Sequence, residues 1–291
     1  MYSVNSSFHD ACHMFDTMPV KSLHSWIALI RLHLNMGLFE KGRQLHGMVL
    51  KHGFVTNIYV GNALIDMYGK CGSLSEAKKV LEGMPQKDCV SWNSIINACA
   101  ANGMMLEALD LLQNMLMSEL EPNVVTWTAV IGGFSRNGCD VESVELFARM
   151  VGAGVAPNAR TLASVLPACS RMKRLCLGKE LHGYIVRHEL FTNGFVVNAL
   201  VDMYRRCGDM KSAFEMFSKY VRKCAASYNT MIVGYSENRN IIKAKELFDQ
   251  MEQEGEERDR ISWNCMISGY VDNFMLDEAL ILFRDLLTNG I

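Results

Sequence analysis

The chain repeats itself at a fixed offset. LHGMVLKHGF and GNALIDMYGKCG, residues 45–54 and 61–72, return 136 residues later as LHGYIVRHEL (181–190) and VNALVDMYRRCG (197–208). The same offset carries Val90, Ser91, Trp92 and Asn93 onto Ala226, Ser227, Tyr228 and Asn229, and Val125, Thr126, Trp127 and Thr128 onto Ile261, Ser262, Trp263 and Asn264. Self-similarity at a regular period limits a chain to repeat architectures, because each copy is a small unit that buries its apolar face only against its neighbours. Laying the Trp- and Tyr-containing starts end to end divides the sequence into repeats at 23–57, 58–88, 89–123, 124–158, 159–193, 194–224, 225–259 and 260–291. Residues 1–22 match the tail of a 31-residue copy, so residues 1–291 read as one array with both ends inside a repeat.

Each copy reads as a helical hairpin. In 124–158, Val130, Ile131 and Phe134 form one apolar stripe at helical spacing, and Val144, Leu146, Phe147 and Met150 form a second. Asn137 and Gly138 supply the turn between them, and Gly154 followed by Pro157 stops the second helix. Equivalent stripes recur at Leu64, Ile65 and Tyr68, at Ile95, Ile96 and Cys99, at Met231, Ile232 and Tyr235, and at Met266, Ile267 and Tyr270. The expected fold class is therefore all-α, a solenoid of stacked helical hairpins with no strand. The turn glycine recurs as Gly72, Gly103 and Gly208, but Arg239 and Phe274 replace it late in the chain. Those two turns are expected to be less sharp or differently built.

Composition narrows the function classes. With 49% hydrophobic and 21% charged residues, the chain has enough apolar content for a buried core. No apolar run is long enough to cross a bilayer, and the first residues carry neither a signal peptide nor the arginines of a transit peptide. The ten cysteines are scattered singly, with no C-x-x-C pair and no histidine at ligand spacing, so they read as reduced, mostly buried small apolar residues. His188 and Glu189 lack the second histidine of a zinc protease helix, and the zinc deaminase signature is missing. No nucleophile with its base and no phosphate loop assembles, so no catalytic residue and no cofactor is expected. His46 and His182 stand in identical LHG contexts, which argues for packing. A formal net charge of −2 argues against a binder that holds nucleic acid by bulk positive charge.

The segments VSWNSIINACAANG, VTWTAVIGGFSRNG, NALIDMYGKCGSLSEAKKV and NALVDMYRRCG resemble pentatricopeptide repeats over essentially the whole chain. The mixture of 35- and 31-residue copies is similar to the PLS-type subfamily of land plants, except that two standard-like copies follow each short one where the subfamily runs in triplets. The resemblance implies sequence-specific binding of single-stranded RNA, one base per repeat, read by the fifth and last residues. Those pairs are Asn62 with Asp88, Asn93 with Asn123, Thr128 with Asn158, Asn198 with Cys224 and Asn229 with Asp259, while Asn264 has lost its partner to the chain end. Asparagine offers a donor and an acceptor on a side chain that reaches a small pyrimidine, whereas threonine leaves room for a purine. At the last position, Asp suits the N3–H of uracil, and Asn suits the bare N3 of cytosine or N1 of adenine.

The resemblance further implies that the second residues, Tyr59, Val90, Val125, Phe195, Ala226 and Ile261, pack bases from either side, with Ala226 gripping least. Ile27 and Ala163, the fifth residues of the two long copies, carry no hydrogen-bonding group for a base. At the thirteenth position Lys70, Arg136 and Arg206 are candidate phosphate contacts, but Ala101, Glu237 and Asp272 interrupt any basic stripe. Trp92, Trp127, Tyr228 and Trp263, at the fourth position, read as core. The resemblance places such a protein in a mitochondrion or chloroplast, working on RNA with processing factors supplied in trans and with no membrane partner. Two other readings stand beside it: a peptide-binding solenoid of the tetratricopeptide kind, and a non-functional fragment of a longer chain.

Overall fold

Every described segment of regular structure in the computed structural model is helical. The structure describes residues 10, 13–15, 17–18, 21–35, 39–192, 194–219 and 224–288. The helices are α1 (Leu23–Asn35), α2 (Phe39–Lys51), α3 (Ile58–Lys70), α4 (Leu74–Gly83), α5 (Cys89–Ala101), α6 (Met105–Met117), α7 (Val124–Arg136) and α8 (Asp140–Gly152). They continue with α9 (Ala159–Arg171), α10 (Leu175–Arg187), α11 (Gly194–Arg206), α12 (Met210–Lys219), α13 (Ala225–Glu237), α14 (Ile241–Gln253), α15 (Arg260–Asp272) and α16 (Leu276–Thr288). Odd-numbered helices are the first of each hairpin and even-numbered helices the second.

The chain divides into two compact bodies, residues 1–137 with 146–156, and residues 138–145 with 157–291. In the first body α1 packs on α3, α3 on α5 and α5 on α7. Leu64, Ile65, Tyr68, Ile95, Ile96, Cys99, Val130, Ile131 and Phe134 form its buried seam. In the second body α9 packs on α11, α11 on α13 and α13 on α15, around Val165, Leu166, Cys169, Leu200, Val201, Tyr204, Met231, Ile232, Tyr235, Met266 and Tyr270. Each such aliphatic or aromatic side chain contributes about 1.5–3 kcal/mol on burial. The fourth-position aromatics join this core: Trp92, Trp127, Tyr228 and Trp263 are all buried, with Tyr228 edge-on to Phe217 and Trp263 edge-on to Phe248.

Small residues set how closely first helices approach. A Cβ added to Gly133 of α7 would stand 2.6 Å from the Cβ of Ala100 in α5. Where the tenth residue of a repeat is large, the bulk is received elsewhere: Met67 lies over Gly42, and Met203 lies over Gly178. Volume is thus exchanged between facing positions, as dense packing requires.

The turns correct two expectations. Arg239 and Phe274 adopt φ of 57° and 61°, the same left-handed conformation as Gly103 and Gly138 at 76° and 77°. The closing hydrogen bonds match as well, with Asn240 N to Tyr235 O at 2.8 Å and Met275 N to Tyr270 O at 2.9 Å, beside Met104 N to Cys99 O at 2.9 Å. Lys173, at the same position after Met172, also has a left-handed φ of 52° and closes through Arg174 N to Cys169 O at 3.0 Å, so the backbone bond is what these turns share. Asn238 and Asn273 donate Nδ2 to the carbonyls of Gly234 (2.8 Å) and Gly269 (2.7 Å), as Asn102 and Asn137 do to Ala98 and Gly133 (2.8 Å each). This side-chain cap adds a further bond to the helix end where an asparagine precedes the turn residue.

The cysteines are also not mostly buried. Cys99 and Cys169 are, but Cys71, Cys89, Cys139, Cys207, Cys224 and Cys265 are half-buried and Cys176 is exposed. They sit at helix ends and on the edges of first helices, where a small side chain reaches the surface. Cys12 lies outside the described residues.

Candidate functional site

The last residue of a repeat is the N-cap of the following first helix, and this fixes the site. Asp88 Oδ1 accepts from Ser91 N (2.8 Å) and Ser91 Oγ (2.9 Å), while Ser91 Oγ accepts from Asp88 N (3.3 Å). Asp259 Oδ1 accepts from Ser262 N (2.7 Å) and Oγ (2.8 Å). Asn123 and Asn158 cap α7 and α9 in the same way, through Thr126 and Thr161. These bonds, reciprocal at Asp88, Asn123 and Asn158, satisfy otherwise orphaned amide groups of the helix start and hold each cap side chain in place.

The fifth residue, one turn into the preceding first helix, reaches this cap. Asn62 Nδ2 donates to Asp88 Oδ1, Asn93 Nδ2 to Asn123 Oδ1 and Asn229 Nδ2 to Asp259 Oδ1, each at 3.4 Å. Asn198 Nδ2 reaches Cys224 Sγ at 3.5 Å. Asn93 Oδ1 is taken by the Thr126 hydroxyl at 2.5 Å, whereas Oδ1 of Asn62, Asn198 and Asn229 is buried without a hydrogen-bond partner. The structure therefore brings four of the sequence-predicted pairs together. Thr128, buried in α7, belongs to the first body, and Asn158 to the second. Asn264 is exposed on α15.

Electrostatics follow from the caps. Burial works to raise the Asp88 pKa, but hydrogen bonds from Ser91, Asn62 and the Val90 amide outweigh it and hold the carboxyl below its ordinary value. Asp259 is lowered in the same way, with Ser262, Asn229 and the Ile261 amide overcoming burial. At Cys224 burial again opposes, and bonds from Asn198, Ser227 and the Ala226 amide bring the thiol below its ordinary value.

The second residues stand out from the surface. Tyr59 is 65% exposed, Val90 55%, Val125 58%, Phe195 80% and Ile261 61%, and Ala226 is exposed too. In the second body Ala226 and Ile261 meet the polar pair in one open cleft of about 400 Å³, lined also by Asn229, Thr230, Asp259 and Arg206 among others. Of the candidate phosphate contacts, Arg136 is exposed, while Lys70 is paired with Asp66 (3.1 Å) and Arg206 with Asp202 (2.9 Å) on their own helices. Sequence reasoning missed two arginines. Arg171, also a thirteenth residue, holds Asp140 through Nε and Nη2, and Arg205 lines the cleft from the twelfth position. The thirteenth-position spacing would have found the first. Arg205 is signalled only by its size, at a place that is small in most copies.

Among the described residues no group of three or more His, Cys, Asp or Glu side chains is placed to hold a metal ion. No described helix is long and apolar enough to cross a membrane. His46 Nδ1 and His182 Nδ1 each meet a tyrosine hydroxyl in the next hairpin, Tyr68 at 3.0 Å and Tyr204 at 2.7 Å.

Comparison with known proteins gives consistent matches. The PPR repeat model matches residues 62–89, 195–224, 226–256 and 261–291, and the PPR repeat family model matches 87–136 and 122–171. A chloroplastic pentatricopeptide repeat-containing protein of Arabidopsis thaliana is 30% identical over 254 residues, covering 87% of this chain and 35% of the relative. A second chloroplastic protein of that name from Arabidopsis thaliana is 32% identical over 250 residues, covering 85% of this chain and 29% of its own length. The chain thus spans about a third of the length of these curated relatives. The crystal structure of the pentatricopeptide repeat protein PPR10 from maize is similar in fold, at 21% identity and TM-score 0.53, covering 91% of this chain and 44% of that one. PPR10 in complex with an 18-nt psaJ RNA element gives 16% identity and TM-score 0.56, covering 99% and 47%.

Proposed function

The chain belongs to the pentatricopeptide repeat family, and on that premise we propose that it binds single-stranded RNA sequence-specifically, one base per repeat. The observation that carries this reading is the recurrence of an exposed apolar second residue beside a fifth-residue amide held against a capped last residue. An exposed apolar side chain is costly to leave in water, and a base seated between two of them removes that cost while its edge meets the polar pair. Tyr59 and Val90 flank the base at Asn62 and Asp88; Ala226 and Ile261 flank the one at Asn229 and Asp259. Capping occupies Oδ1 of each aspartate, and the second carboxylate oxygen accepts from uracil N3–H. The similarity to PPR10, which has been crystallised with RNA, supports the same reading.

The RNA runs with its 5′ end toward the N-terminal repeats. Preferences are U at 58–88, C or U at 89–123, A at 124–158, little choice at 159–193, a pyrimidine at 194–224, U at 225–259 and a pyrimidine at the last repeat. The protein acts by occupancy, in editing, splicing or stabilisation of RNA in a plant organelle, chloroplast or mitochondrion, with chemistry supplied by factors in trans. Chloroplastic relatives favour that compartment. The test is Thr128→Asn, which exchanges a short hydroxyl for a longer amide at the fifth position of repeat 124–158. It is expected to move the third preference from adenine to cytosine, with discrimination of about 1–3 kcal/mol in competition binding. Equal weakening of all RNAs would overturn the assigned pair, and wild-type protein that binds no RNA at low salt would overturn the function.

A further inference from the structure

The twelfth residue of a repeat lies where one first helix meets the next, and it is small in most copies: Gly69, Ala100, Ser135, Ser170 and Ser236. Arg205 breaks the series. Its side chain is 6% exposed and crosses Gly234 of α13, where an added Cβ would stand 2.6 Å from Arg205 Cδ. A buried guanidinium is costly unless its donors are met, and here they are. Nη2 and Nε donate to Asp202 Oδ1 at 2.7 Å and 3.2 Å, and Nη1 donates to Glu237 Oε2 on the neighbouring helix. Asp202 also accepts from Arg206 Nε at 2.9 Å.

Glu237, with Asp272 one of two acidic thirteenth residues, is the one that this arrangement answers. It is a thirteenth residue, 59% exposed, at the place where Lys70, Arg136, Arg171 and Arg206 stand in other repeats. A carboxylate there would repel an RNA backbone that passes the slot of Asn229 and Asp259. Around the cleft, the carboxylates of Asp202, Glu237 and Asp259 face the guanidiniums of Arg205 and Arg206, a balance of −1 that becomes −2 without Arg205.

We infer that Arg205 is a positioning residue that cancels the charge of Glu237 from beneath, so that a phosphodiester backbone can cross from repeat 194–224 to repeat 225–259. Gly234 is the space that lets it reach. The inference rests on the RNA-binding reading. Arg205 does not touch the base; it removes a repulsion from the path of the phosphate and leaves Arg206 exposed beside it.

The experiment measures binding of a single-stranded RNA of the preferred sequence to the full chain across a salt series, for wild type, Arg205→Ser, Glu237→Gln and the double variant. Serine is the residue used at this position in neighbouring copies. Arg205→Ser is expected to weaken binding on the order of fivefold at ~50 mM salt, the effect of one unit charge at close range in water, fading toward ~500 mM as screening shortens. Adding Glu237→Gln returns the balance around the cleft to −1 and should restore affinity to near that of wild type, which a merely structural role for Arg205 would not allow. Unchanged affinity in Arg205→Ser, or a salt-independent loss without rescue, would overturn the inference. Should serine compromise folding, Arg205→Lys keeps the charge and is expected to bind with near wild-type affinity; a fivefold loss there would also overturn it. Failure of wild type to bind any RNA is a separate result, seen without any variant, and removes the functional reading together with this one.

Discussion

Adding a methyl group at Gly133 tests the helix seam directly. The new Cβ would lie 2.6 Å from Ala100 Cβ and 3.3 Å from Ala100 Cα, whereas carbon atoms rest at about 3.5–4.0 Å. Ala100 has no longer side chain to swing aside, so α5 and α7 must separate by roughly 1 Å along a buried face, an overpacking cost of about 1–3 kcal/mol. Opposing it, alanine is better than glycine inside a helix by about 0.8–1.0 kcal/mol. Gly133→Ala should therefore destabilise by about 0–2 kcal/mol. Gly47, inside α2, has nothing within 4 Å of its added Cβ, so Gly47→Ala should gain nearly the full propensity term, up to about 1 kcal/mol. The difference between the two variants isolates packing from propensity. The swap Ala100→Gly with Gly133→Ala moves the methyl across the seam without changing its volume and should return close to wild type, a coupling of about 1–3 kcal/mol. Urea unfolding of the full chain followed by far-ultraviolet circular dichroism reads these three variants and Ala100→Gly alone, which completes the cycle. Gly133→Ala stabilising as much as Gly47→Ala, with additive behaviour in the swap, would refute the argument.

Two further outcomes follow from the same geometry. Arg239 and Phe274 hold positive φ at the expense of strain, and Phe274 is almost fully exposed, so Arg239→Gly and Phe274→Gly should each stabilise by about 0.5–1 kcal/mol; a lowered thermal midpoint in either would count against it. Asp88 has its folded pKa below the ordinary 3.8, so its charge contributes stability above that value, and the contribution is lost as pH falls through the lower folded pKa. The stability difference between wild type and Asp88→Asn should therefore hold steady from neutral pH to about 3.8 and shrink only below it; shrinkage beginning near neutrality would contradict the assignment.

The sequence made the all-helical hairpin fold legible because both signals involved are local: apolar spacing within a helix, and glycine between helices. It misled at Arg239 and Phe274, where the turn residue seemed to decide the turn. What the turns share is the backbone bond that closes them, which Lys173 also makes after Met172, while Asn238 and Asn273 add a side-chain cap to it. The site was legible as a set of positions but not as a structure. The spacing of Asp88 to Ser91, Asn123 to Thr126, Asn158 to Thr161 and Asp259 to Ser262 is that of an N-cap box, which a search for capping signals would have found. The pairing of Lys70 with Asp66 and Arg206 with Asp202 was available from four-residue spacing. Arg205 was not, since its partner Glu237 is 32 residues away and only the stacking of α11 on α13 joins them.

The double employment of the last residue constrains how such a surface can vary. In the proposed reading that residue distinguishes bases, yet it also caps a helix, and replacing a capping Asp or Asn with alanine costs about 0.5–2 kcal/mol. Asp88, Asn123, Asn158 and Asp259 all come from the small set of side chains that can cap, so the chemistry available to select a base at this position is limited by helix stability. Cys224 shows the weaker case: a thiol takes the place of the capping oxygen, receiving Asn198 at 3.5 Å and the Ser227 amide, while Ser227 Oγ accepts from the Cys224 backbone amide. The fifth residue carries no such burden, because it lies inside a helix with its backbone already satisfied. Changes of base preference should therefore be cheaper through the fifth residue than through the last.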